Sequence, residues 1–143
     1  MRNDFVMAWN ANKDKLKAYF QTHKTNDYGH YKDLVKLLFE YVVNPYLEEN
    51  EKRVYDLEKI HEIDDGDYQG SLLYVIPLST YQPSCYDYLV TYLEYGSCPF
   101  CDLLEGLLSL SKGEIPDEDQ VSDFMTLCLH LLQRCKIPYS YED

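Results

Sequence analysis

The chain predicts an α+β domain built on a three-stranded antiparallel sheet, with two helices before the sheet and two after it. Two stretches at each end place apolar residues at helical spacing. The middle, roughly 54–95, is rich in Tyr, Val, Ile and Leu and is broken by turn-forming residues. Within it, Asp65-Gly66 is a hairpin signal, because Gly accepts the positive φ that tight turns need. With 143 residues, 45 % hydrophobic and 27 % charged, the chain has the length and composition of one globular domain, residues 1–143.

Asp4 to His23 reads as a helix with Phe5, Trp9, Leu16 and Phe20 near one stripe. Asn10-Ala11-Asn12 is a candidate interruption, since Asn side chains compete for backbone hydrogen bonds. Tyr31, Leu34, Val35, Leu38, Tyr41 and Val42 mark a second helix, expected to stop at Asn44-Pro45 because the residue before proline avoids the helical region. Val54 to Ile63 is the first expected strand, followed by a turn at Asp64-Asp65-Gly66-Asp67. Ser71 to Leu78 is the second strand and Tyr86 to Tyr95 the third. Ser97 with Pro99 is the expected start of a third helix carrying Leu103, Leu104, Leu107 and Leu108, with Lys112-Gly113 as its stop. Asp117 opens the fourth, where Val121, Phe124, Met125, Cys128, Leu131, Leu132 and Cys135 keep the helical period up to Pro138.

Charge is the strongest departure from average. Residues 1–45 hold 7 basic and 5 acidic side chains, whereas residues 46–143 hold 6 and 20. The net charge of −12 argues against direct binding to nucleic acid or an anionic membrane, both of which need positive surface. It favours a basic protein partner. Two blocks concentrate the acids. Residues 48–67 carry nine (Glu48, Glu49, Glu51, Asp56, Glu58, Glu62, Asp64, Asp65 and Asp67) against Lys52, Arg53 and Lys59. Residues 114–123 carry five acids and no base. Carboxylates spaced along a surface can imitate duplex phosphates and compete for the Arg/Lys groove of a nucleic-acid enzyme. Tyr55 and Tyr68, drawn from 15 tyrosines, are expected to supply contact area between the acids.

No nucleophile elbow, P-loop or dinucleotide fingerprint is present, and the four histidines lack metal-ligand spacing, so no catalytic residue is assigned. One motif carries a different chemistry. Cys98-Pro99-Phe100-Cys101 falls where a strand gives way to a helix, a setting that stabilises a thiolate and that also suits zinc. Cys128 is the candidate third ligand, although its place on the apolar stripe of the last helix better suits a small buried hydrophobe. The alternative to an interaction protein is therefore a zinc-binding or thiol protein; otherwise no cofactor is expected. The N-terminus has no apolar segment of a secretion signal, and the five cysteines read as reduced thiols, so a cytoplasmic location is expected.

At Glu62-Ile63-Asp64-Asp65-Gly66-Asp67-Tyr68-Gln69-Gly70, Tyr81-Gln82-Pro83-Ser84 and Tyr95-Gly96-Ser97-Cys98-Pro99-Phe100-Cys101-Asp102, the chain resembles a group of small uncharacterised acidic proteins encoded by phages and prophages of Gram-positive bacteria. The resemblance covers roughly residues 60–135. Pro99 and Phe100 stand where that group carries small residues. The resemblance implies no catalytic residue. By analogy with small acidic phage proteins it implies a binder of host machinery in the host cytoplasm, or an accessory or assembly protein that self-associates.

Overall fold

The computed structural model describes residues 2–66, 70–80, 82–95 and 103–138, with the side chains of 65, 66, 95, 103 and 105 left aside. It has the predicted architecture: α1 (Asn3–Thr22), α2 (Tyr31–Leu38) and α3 (Asn44–Asn50), then β1 (His61–Gly66), β2 (Gly70–Pro77) and β3 (Tyr88–Tyr95), then α4 (Leu103–Ser111) and α5 (Glu118–Gln133). The strands form one antiparallel sheet in the order β1-β2-β3.

Two helical expectations change in instructive ways. Asn10-Ala11-Asn12 does not interrupt α1; Asn12 is buried, and its side-chain amide donates to the carbonyl of Val42 at 3.0 Å. The second helical run does not stop at Asn44-Pro45. Phe39–Val43 widens into a π turn, in which the Asn44 N–H reaches back to Phe39, and α3 follows with Pro45 in its first turn. A proline in the first turn lacks only a donor that would have had no intrahelical partner, and the widened turn before it restarts the helix there.

The first strand is also redrawn. Residues 54–56 pair with the end of β2 through Tyr55↔Leu78, but Leu57–Lys59 then forms a 3₁₀ turn before β1 begins at His61. Asp56 causes the break: its carboxylate accepts from the Glu58 N–H at 3.2 Å, a local bond that competes with the ladder. Past this turn, β1 runs through Asp64 to Gly66, so these residues are strand rather than turn. Gly66↔Gly70 closes the ladder, and the remaining turn residues, Asp67 included, lie outside the described residues.

One sheet face is dry. Leu72, Tyr74 and Ile76 of β2 and Leu89, Thr91 and Leu93 of β3 are buried, on alternating positions as a half-covered sheet requires. Helix α5 lies across this face, fixed by the Thr91 hydroxyl donating to the Leu131 carbonyl at 2.6 Å. Phe20, Tyr28 and Phe124 then join α1, the loop after it and α5 in an aromatic cluster with ring centroids 5.1 to 5.3 Å apart. Full burial of each such ring contributes about 1.5–3 kcal/mol. The predicted stop of α4 is present: Lys112 and Gly113 both take positive φ, and Gly113 packs so closely on the Asn26 side chain that a Cβ would fall 2.8 Å from its oxygen. Among the described residues no helix is long and apolar enough to cross a membrane.

Candidate functional site

The first acidic block winds from the end of α3 to the free edge of the sheet. Glu48, Glu49 and Glu51 are exposed at the C-terminal end of α3, whose last turn has no basic residue. Helix C-termini carry partial negative charge, so acids there are disfavoured by about 0.3–1 kcal/mol each. Arg53 meets Glu51 at 2.9 Å and Lys59 approaches Asp56 at 3.8 Å. Both are surface ion pairs, which contribute only about 0–1 kcal/mol and leave the block strongly negative.

Asp56 and Glu58 belong to the 3₁₀ turn that precedes β1, and Glu62, Asp64 and Asp65 belong to β1 itself. Register sets Glu62 beside Tyr74 and Asp64 beside Leu72, with Ile63 between them beside Leu73. Side chains alternate across a strand, so Glu62 and Asp64 share one face and Ile63 takes the other. The acids among the described residues are therefore strung along an edge. The structure brings together Glu48, Glu49 and Glu51 at the helix end, and Asp56, Glu58, Glu62, Asp64 and Asp65 along the edge. Asp67 and Tyr68 lie outside the described residues.

Tyr55 is a correction. It is 4 % exposed, with its ring edge-on to Phe39 at 5.4 Å, so it is a core side chain and not a surface contact. Its backbone is held by Asn44, whose side-chain oxygen accepts from the Tyr55 N–H at 2.9 Å while its amide donates to the Tyr55 carbonyl at 3.1 Å. Asn44 thus closes the outer edge of the 54–56 segment as a neighbouring strand would. Nothing in the spacing of Asn44 and Tyr55 announces this pairing.

Cys98 and Cys101 lie outside the described residues. Cys128 is fully buried in the core, and burial pushes its thiol well above the ordinary range, which disfavours the thiolate that metal binding or nucleophilic chemistry uses. Cys135 is buried too; burial pushes its thiol up to about 12, and it donates to the Leu131 carbonyl. Among the described residues no three His, Cys, Asp or Glu side chains converge on a point where a metal ion would sit.

Three acids of the second block, Asp117, Glu118 and Asp119, serve the start of α5. The Asp117 carboxylate accepts from the Gln120 N–H at 2.8 Å, and the Gln120 side chain accepts from the Asp117 N–H at 2.9 Å, closing a reciprocal cap on α5. Glu118 and Asp119 occupy the first turn, where the dipole favours acids, and share a cleft of about 500 Å³ with Lys13 and Lys17 of α1. A smaller, more enclosed cleft of about 250 Å³ brings Tyr31, Glu94, His130 and Arg134 together, a grouping that sequence spacing did not signal because it joins α2, β3 and α5. Compared with family models, curated proteins and solved structures, the chain matches none of them.

Proposed function

We propose that this chain is an acidic protein-interaction module whose surface from Glu48 to Asp65 binds a basic protein, the leading class being a nucleic-acid-handling enzyme whose Arg/Lys groove the carboxylates occupy in place of phosphates. This is the role of a phage-encoded inhibitor or DNA mimic acting on a host protein. One observation carries the reading: Glu48, Glu49, Glu51, Glu58 and Glu62 are exposed acids that no helix cap uses. At α3 they even oppose the dipole. Charge placed against its own fold's preference is what an electrostatic interface requires.

Capture from bacterial lysate tests it, comparing the native chain with a variant in which Glu48, Glu49, Glu51, Glu58 and Glu62 are all changed to Gln. Asp56 is left intact because it caps the 3₁₀ turn. The native chain is expected to retain a nucleic-acid-binding protein at low salt and release it to added duplex DNA. It should also release it at about 1 M salt, where the Debye length is about 3 Å. The variant should retain little. Capture that persists at high salt and ignores DNA would remove the electrostatic reading.

A further inference from the structure

The described part of the sheet ends at β1. Its inner side pairs with β2, and no other strand among the described residues pairs with its outer side. The same edge is treated differently a few residues earlier, where Asn44 supplies both a donor and an acceptor to Tyr55. An edge strand presents a row of backbone donors and acceptors spaced for one more strand.

The side chains of β1 state what that strand would carry. In six residues it has Glu62, Asp64 and Asp65 against a single His61. Between Glu62 and Asp64, on the opposite face, stands Ile63, 44 % exposed. Ile63 heads a row that runs across the sheet in register, Ile63–Leu73–Tyr92, capped by the Arg134 guanidinium 5.3 Å from the Tyr92 ring centre. A strand added beside β1 would lengthen this apolar row on the face that positions 63 and 65 share and meet Glu62 and Asp64 on the other. A second copy of β1 would bring acid against acid, and like charges directly opposite destabilise a strand pair.

We infer that β1 is a docking edge for an extended basic segment of the partner protein, one that alternates Lys or Arg with apolar residues and pairs with His61–Gly66 as a fourth strand. The inference rests on the acidic-interaction reading and adds the backbone mode of recognition. Main-chain hydrogen bonds give such a contact its strength, while alternate side chains select it.

The probe is a peptide alternating Lys and Val, about eight residues long to overlap the strand. A peptide alternating Lys and Gly matches its charge but has low strand propensity. Hydrogen exchange of the full chain is followed at low salt with and without each peptide. Slowed exchange confined to amides of residues 61–66 with the Lys/Val peptide, and binding about tenfold or more weaker for Lys/Gly, supports strand addition. An Ile63→Lys variant, at an exposed position, should lose the peptide to a similar degree while keeping the native melting temperature. If both peptides bind equally and exchange within 61–66 does not change, edge pairing is wrong and the electrostatic reading stands. If neither peptide binds even at low salt, both fail.

Discussion

The two acidic blocks have similar composition and opposite relations to the fold. Within residues 114–123, Asp117 caps α5 and Glu118 and Asp119 lie on the favourable end of its dipole, in a cleft shared with Lys13 and Lys17. At residues 48–65 the acids sit at the end of α3 and along a sheet edge, where Glu51 pairs with Arg53 and Asp56 with Lys59 at the surface. Net charge by itself therefore does not locate an interaction surface. The proposed surface is distinguished by charge that the local structure disfavours.

The contrast can be broken first at the level of binding. A variant neutralised at Glu114, Glu118 and Asp123 should capture a basic partner nearly as well as the native chain, while the five-glutamate variant loses it. Equal losses from the two would show that only total charge matters. The second test concerns the closed part of the edge. Asn44→Ala removes both hydrogen bonds to Tyr55 and leaves buried backbone groups without partners, a cost of about 1–3 kcal/mol in denaturant unfolding. A change near zero would mean that the 54–56 segment holds without Asn44, and that the closed and open stretches of edge differ less than their geometry indicates.

A smaller effect is expected from Asp117→Ala, which loses the α5 cap and about 1 kcal/mol of stability with no effect on partner capture. The smallest concerns Tyr74, whose buried hydroxyl has no partner in hydrogen-bonding geometry even though Glu62 stands in register beside it. Burial, and then that carboxylate, push the phenol far above its ordinary pKa. Tyr74→Phe deletes an unsatisfied group and should leave thermal stability unchanged or raise it by up to about 1 kcal/mol. A loss of more than that would reveal a hydrogen bond to Glu62 in solution, and the acid would then serve the fold after all.

Much of the architecture was legible because it rests on periodicity. The stripes of α1, α2 and α5 and the turn chemistry at Lys112-Gly113 are local patterns with local causes. The departures come from arguments confined to neighbouring residues: competition for its own backbone at Asn12, the following proline at Asn44, and an unbroken strand through Asp56. Asn12 and Asn44 instead bond backbone 30 and 11 residues away. Asp56 behaved locally as its chemistry predicts, but its position in the ladder was visible only once β2 was in place. Tyr55 looked like a surface ring because its neighbours are acids, yet Phe39, sixteen positions back, draws it into the core.

Of the candidate site, the sequence alone determined which residues are acidic and that they are crowded, since charge and order along the chain need no folding to be known. Tertiary structure alone decided which acids cap a helix, which oppose one, and which line the edge beside Ile63 that no other strand among the described residues pairs. The physical reason is that a carboxylate's role depends on the dipoles, strands and cations that folding brings within a few ångströms of it, and those come from distant parts of the chain.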